Sequence, residues 1–417
     1  MRVLIVGLNY APEQIGVAVY TTGLAKMLAA TGHEVHVIAG RPYYPGWQIM
    51  PGHSAWTYSR GDEHGVDVTR VPHYIPRLPT GMRRVLHHAS FAASALLPAV
   101  IRALTWRPHL LLTIAPALIA APVGLLAARL SGAHGWLHLQ DFEIETAVAT
   151  GLIGEKPARL ARVIERWLVQ HFDTVSTISP PMCRRLISMG LPPGRVVEFR
   201  NWADVDVVYP LRQASPLREH WNVHTAHVAL YSGSIARKQG LEVIVAAAQR
   251  LSHRKDLTFV IVGEGPYAAT LQQRAAGLDN VRFYPLQPKE RLNQLLNLGS
   301  IHLLPQIAGA ADQVLPSKLN NMLASGRPVI AMTAPGSGLA MEVAGAGLVV
   351  APGDSVALAN AVENLISNPL LHQQLSRAAR QRAEERWSRQ AVLGDIEQKF
   401  ARCAAPEPVV EQRAPAA

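Results

Sequence analysis

One pattern occurs at two places in this chain, and it admits few folds. An apolar strand, Val3–Val6, runs through the loop Gly7–Gly16 into a helical stretch from Ala18 to Ala30. Gly32-His33-Glu34 then leads into a second strand, Val35–Ala39. The pattern returns as strand Val228–Tyr231, loop Ser232–Gly240, helix Leu241–Leu251 and strand Leu257–Val262. Near-continuous apolar strands separated by helices mark strands buried on both faces of a parallel sheet. Two such units predict an α/β chain of two Rossmann-like, doubly wound domains facing a central cleft. Any ligand is expected in that cleft.

The length of 417 residues fits this, because single cores stop growing beyond about 250–300 residues. Apolar residues make up 49% and charged residues 17%, enough to bury two cores. The expected domains are 1–200 and 201–385, with Arg200–Pro210 read as the linker. An amphipathic helix over 386–403 and a disordered Pro/Ala-rich tail, 404–417, complete the chain. Cys183 and Cys403 form no metal or redox spacing. With a single Arg2 before the first strand and no signal-peptide pattern, a reducing cytoplasm is expected.

The net charge of +10 predicts attraction to anions: phosphate-bearing molecules, nucleic acid or lipid headgroups. No helix-turn-helix, zinc-finger or aromatic-rich RNA-binding signature accompanies it, so nucleic acid is not expected. Leu110–Leu130, with Arg129 its one charge, is long enough to span a bilayer, but Pro116 and Pro122 divide it. A strand over Leu110–Ile114 and a helix over Ala121–Leu130 explain it better. Met82–Leu104 combines Arg83, Arg84, His87 and His88 with Phe91, Leu96, Leu97, Val100 and Ile101. Such a helix lies on a membrane surface or covers a core with one solvated end.

The chemistry concentrates in the second half. Ser232-Gly233-Ser234 follows a strand and offers exposed backbone N–H groups, with Arg237 and Lys238 close behind. Ser317 reads as the N-cap of a helix that stops at Gly326, and Lys318 adds a third cation. Helix starts carry about half a positive charge and bind phosphate, so these groups together predict a diphosphate site. In the first half, Gly16 before a helix could present backbone to the same phosphates. Neither a dinucleotide fingerprint nor a Walker lysine is present. Asp204-Val205-Asp206 matches a short metal-binding pattern, but it lies in the linker. No metal or other cofactor is expected.

These residues also carry a resemblance. Pro12-Glu13-Gln14-Ile15-Gly16, Gly32-His33-Glu34-Val35, Ser232-Gly233 with Arg237-Lys238-Gln239-Gly240, Gly263-Glu264-Gly265-Pro266 and Ala324-Ser325-Gly326-Arg327-Pro328-Val329 resemble family 4 retaining glycosyltransferases. Pro42-Tyr43-Tyr44-Pro45, Gln140-Asp141-Phe142-Glu143, Asn201-Trp202 and Leu315-Pro316-Ser317-Lys318-Leu319 resemble members that build exopolysaccharides such as colanic acid. The resemblance implies the GT-B fold, with a UDP- or GDP-sugar donor on the second domain and the acceptor on the first. A polyprenyl-diphosphate-linked saccharide at the inner face of the cytoplasmic membrane is the acceptor it suggests. It also implies that the final helix crosses back onto the first domain.

By the same resemblance, Arg237 and Lys238 neutralise the donor diphosphate and Gly16 approaches it. Gly263, Glu264 and Leu286 lie toward the nucleoside, and Asp141 toward the acceptor and the reacting carbon. The family's ribose-binding glutamate is replaced by Asn321, and its first glutamate falls near Asp312 or Gln313. An amide can bond a ribose hydroxyl but is no charged acceptor. Two other readings stay open: a sugar-nucleotide epimerase of the same architecture, and a non-catalytic nucleotide- or membrane-binding module.

Overall fold

The computed structural model describes residues 1–404 except 15, 55, 79, 117, 145–147, 149–153, 308–315 and 317, and leaves the side chains of 155, 238 and 404 aside. The chain divides into two compact units. The first comprises Met1–Ile178, Cys183–Phe199 and the stretch from Leu393; the second comprises Ser179–Met182 and Arg200–Val392.

The first unit is built on β1 (Arg2–Gly7), α1 (Val17–Ala30), β2 (Glu34–Gly40), β3 (Ser59–Asp62), β4 (Asp67–Val71), α2 (Gly81–Thr105) and β5 (Leu110–Ala115). α3 (Ala121–Ser131), β6 (His134–Leu139), α4 (Glu155–His171), β7 (Thr174–Thr177), α5 (Pro180–Ser188, whose first three residues group with the second unit) and β8 (Val196–Glu198) follow. The eight strands run β3-β4-β2-β1-β5-β6-β7-β8, parallel except for β3. Val3, Leu4, Ile5 and Val6 are fully buried, as a central strand covered on both faces requires.

β3 was not expected, because Ser59-Arg60-Gly61-Asp62 is wholly exposed and carries no apolar pattern. A turn makes it instead. His64 and Gly65 both take positive φ (60° and 80°), the geometry of a tight hairpin, and Arg60 pairs with Asp67 at 2.5 Å across it.

α2 is long and apolar enough to cross a membrane by length and composition. It lies instead against the core, burying Phe91, Ala95, Ala99 and Ala103 at a four-residue spacing. Met82, Leu86, Leu97, Ile101 and Leu104 remain on its exposed side.

The second unit contains α6 (Leu217–His220), β9 (His227–Ser232), α7 (Glu242–Arg250), β10 (Leu257–Val262), α8 (Ala268–Arg274), β11 (Val281–Tyr284), α9 (Leu292–Leu296) and β12 (Ile301–Pro305). α10 (Leu319–Ala324), β13 (Val329–Met332), α11 (Gly338–Val343), β14 (Gly347–Val350), α12 (Ser355–Ser367) and α13 (Pro369–Arg382) complete it. Its six strands are parallel, in the order β11-β10-β9-β12-β13-β14.

Residues 200–210 belong to this unit. Trp202 and Ala203 are buried, the Ala203 N–H donates to the Trp387 carbonyl at 2.6 Å, and Arg200 pairs with the buried Glu342 at 2.8 Å. The last helix, α14, spans Arg389–Ala404 rather than beginning at Arg386. A five-residue π turn, Ala383–Trp387, precedes it, and the Ser388 hydroxyl accepts the Ala391 N–H at 3.2 Å, a side-chain cap that fixes the start. Along α14, Phe400 sets its ring edge-on to Trp136, and Glu397 bonds His33 at 3.0 Å, both within the first unit.

Candidate functional site

In a doubly wound sheet, ligands gather at the carboxyl ends of the strands where the strand order reverses. In the second unit that point lies between β9 and β12. The chain leaving β9 enters Ser232-Gly233-Ser234 while the chain leaving β10 enters Gly263-Glu264-Gly265, and the two loops run against each other. The Gly233 N–H donates to Val262 at 2.9 Å, Ile235 to Glu264 at 2.8 Å, and Tyr267 back to Ile235 at 3.1 Å. Gly263 has φ 150°, and a Cβ there would fall 1.8 Å from the Gly233 oxygen, so only glycine permits the approach. The Tyr231 hydroxyl donates to the Ser234 carbonyl at 2.7 Å and holds the first loop down.

Lys318 takes the N-cap position of α10, without a side-chain cap bond. It sends its Nζ over the Tyr231 ring, 4.2 Å from the centroid, and to 3.5 Å from the Ser232 carbonyl. A Cβ on Gly233 would sit 2.9 Å from that Nζ. Burial pulls the ammonium's pKa down to about 8, because the charged form loses solvent. Among the described residues no carboxylate lies within ion-pair distance of it. The arrangement presents backbone and one desolvated cation at a sheet edge.

The structure therefore brings Gly233, Ser234, Gly263, Glu264 and Lys318 together. Arg237 stands one turn further on, exposed, in a 3₁₀ turn over Arg237–Gln239 that Gly240 ends at φ 67°. The Lys238 backbone belongs to the same turn. Leu286 is 60% exposed beyond a 420 Å³ pocket lined by Ile235, Gly263, Glu264, Phe283, Tyr284 and Pro285. Asn321 is partly exposed in the first turn of α10; its neighbour Asn320 is buried and donates to the Trp202 carbonyl at 2.8 Å. Ser317, Asp312 and Gln313 lie outside the described residues. The Asp204 carboxylate of the Asp-x-Asp pattern accepts the Val207 N–H at 3.3 Å, a turn contact.

In the first unit the strand order reverses between β1 and β5. Gly16 has φ 67° at the start of α1, a conformation that favours glycine. The loop before it is fixed by Glu13, a residue of the Pro12–Gly16 motif to which the sequence alone assigns no role. This buried carboxylate accepts the N–H groups of Tyr43 and Tyr44, both at 2.9 Å, and the Asn9 amide at 2.9 Å. Two of the short motifs are thus one contact. The Arg70 guanidinium lies over the Tyr10 ring and donates to the Ala11 carbonyl.

Around this point the histidines are buried and neutral. Desolvation, then neighbouring cationic groups, hold His73 near pKa 3 and His88 near 4. Asp141 follows β6 at its carboxyl end, partly exposed, and lines a groove with Arg84, His88 and Glu143. Glu143 accepts the Leu118 N–H at 3.1 Å.

Comparison with known proteins agrees with this architecture. Residues 16–202 match the family described as glycosyl transferase 4-like domain, and 226–368 match glycosyl transferases group 1. Over 335 residues the chain is 41% identical to the putative colanic acid biosynthesis glycosyl transferase WcaI of Escherichia coli K12, covering 78% of this chain and 82% of that protein. Sucrose-phosphate synthase of Thermosynechococcus elongatus superposes with a TM-score of 0.72 at 18% identity, over 96% of this chain and 98% of that one. HepE of Anabaena, solved with UDP, gives 0.71 at 16% identity over 96% and 100%. The architecture they share is the GT-B fold.

Proposed function

The chain belongs to the glycosyltransferase family marked by these two domains, and from that premise we propose a retaining enzyme that moves a sugar from a UDP- or GDP-sugar to a polyprenyl-diphosphate-linked saccharide in exopolysaccharide assembly. The observation that carries the reading is Lys318. A desolvated ammonium with no carboxylate partner among the described residues favours an anion beside it, and it lies next to backbone that a diphosphate can approach. On this reading the second unit holds the donor. Arg237, Lys238, Lys318 and the chain at Ser317 face its diphosphate; Gly263, Glu264 and the pocket before Leu286 face the nucleoside, with Asn321 toward the ribose. The first unit holds the acceptor, with Asp141 orienting its hydroxyl and Gly16 presenting backbone.

As the bond from the sugar's anomeric carbon to the phosphate oxygen breaks, negative charge grows on the departing nucleoside diphosphate. Fixed cations stabilise that charge more in the transition state than in the ground state. The acceptor hydroxyl attacks from the same face, and its proton passes to the leaving phosphate oxygen. The exposed apolar side of α2, with Arg83 and Arg84 at its start, suits work at the inner surface of the cytoplasmic membrane.

The test incubates the protein with UDP- and GDP-sugars, with and without a polyprenyl-diphosphate-linked saccharide, and assigns the product's anomeric configuration by NMR. The expected result is acceptor-dependent release of one nucleotide with configuration kept. Inversion, or an epimer formed from donor alone, would overturn it. Thermal-shift screening identifies the nucleotide, because a bound ligand raises apparent stability.

A further inference from the structure

Beside Asp141, the first unit carries a groove of 430 Å³, in the size range of small-molecule sites. Val85 of α2, Ile119 in the turn before α3, and Ile164 and Leu168 of α4 give it apolar walls. Val85, Ile119 and Ile164 are 44%, 40% and 50% exposed, so this is an open apolar slot rather than a sealed core. Concave sites with mostly apolar walls and a few polar groups are where small ligands bind.

The rest of the lining is polar. Arg84 is exposed, and its charge helps hold His87 and His88 below the usual histidine range. Glu143 is engaged by the Leu118 N–H and lies 3.7 Å from His88, and Glu165 is buried. Arg84 thus has no ion-pair partner among the described residues, and Asp141 lies in the same lining.

A concave slot joining apolar walls, a cation and a candidate catalytic carboxylate suits one amphipathic molecule with a single chain and an anionic head. We propose that this groove holds the first isoprene units of the acceptor's polyprenyl chain, with Arg84 on its diphosphate and the attached saccharide at Asp141. The assignment rests on the acceptor reading above and adds the place where the lipid part is recognised.

Two measurements test it. Equilibrium dialysis with labelled geranylgeranyl diphosphate should show saturable binding that inorganic diphosphate does not displace. Ile164→Asp and Val85→Asp should weaken it at least tenfold, and the milder Ile164→Ala in the same direction. Leu370→Asp, an exposed residue of α13, should not change it. In transfer assays, kcat/KM for a long-chain acceptor should exceed that for the same saccharide diphosphate on a short alkyl chain, and the Ile164 and Val85 variants should collapse the preference.

Probe binding without transfer to any lipid-linked saccharide would overturn the acceptor reading and leave the groove standing. Transfer to lipid-linked acceptors that ignores these substitutions would overturn the groove alone. Binding to anionic vesicles with no uptake of the soluble probe would also overturn it and assign the apolar face to the bilayer.

Discussion

The two units answer the same topological question with opposite chemistry. Each is a sheet, parallel but for β3 in the first, whose strand order reverses once, between β1 and β5 in the first and between β9 and β12 in the second. In the first, the loops at that edge are closed by Glu13, by Arg70 over Tyr10 and by neutral histidines. In the second, two glycine loops lie backbone to backbone beside a desolvated lysine. The first edge is a buried polar and aromatic network next to an apolar groove, and the second sets close-packed backbone beside one desolvated cation. The fold sets where a ligand can sit, and the loops set what it can be.

The contrast can be broken most severely at the second edge. Lys238→Ala should lower donor-saturated turnover by about 100- to 1,000-fold, the loss expected when one charge-stabilising donor is removed. An undiminished rate would remove Lys238 from the proposed chemistry. At the first edge, Asp141→Asn should lower turnover by about 100-fold through a misplaced acceptor. Nucleotide affinity should stay at wild type, and a change confined to that affinity would erase the division of labour.

Gly263→Ala sharpens the comparison from the side of the backbone. Its Cβ would meet the Gly233 oxygen at 1.8 Å, so the loops must part. Nucleotide binding should weaken by about tenfold, or about 1.4 kcal/mol, read by titration calorimetry.

Two pH experiments set the units against each other. Lys318 is charged below its pKa of about 8, so donor affinity should fall as pH rises through that value, with a one-proton slope. Lys318→Met should flatten the profile. The smallest effect concerns stability. Burial holds His36 and His88 near pKa 4 and His73 and His138 near 3 in the first unit; in the second, His302 is held near 3. A histidine kept neutral in the fold adds stability that is complete above its unfolded pKa of about 6.5 and is lost as pH falls toward the folded value. Between pH 6.5 and 4 the first unit should therefore lose protection before the second. Hydrogen exchange followed by mass spectrometry reads this directly, and equal loss in both would sink it.

Strand positions were open to reading wherever burial demanded unbroken apolar runs: Leu257–Val262 lies where the pattern put it, and Leu110–Ile114 and Val228–Tyr231 fall within β5 and β9. The glycine loop at 233 and the cation at 318 were readable too, since turn glycines and clustered charges have short-range causes. β3 was not, because its residues are polar and exposed and a hairpin turn places them. The amphipathic pattern sets the start of α14 three residues early, because periodicity does not show that the Ser388 hydroxyl caps it. Glu13 stood in a quoted motif without a task, because its partners, the N–H groups at 43 and 44, are supplied by a loop thirty residues away.

Local order along the chain was enough to settle the buried parallel strands of both sheets and the family, because period, turn residues and loop glycines act over a few neighbours. Folding alone could settle that Lys318 loses solvent over Tyr231, that Gly263 meets the Gly233 carbonyl, and that Val85, Ile119 and Ile164 share one groove with Asp141. Desolvation, close backbone approach and concavity are properties of distant residues brought together, and no spacing along a chain encodes them.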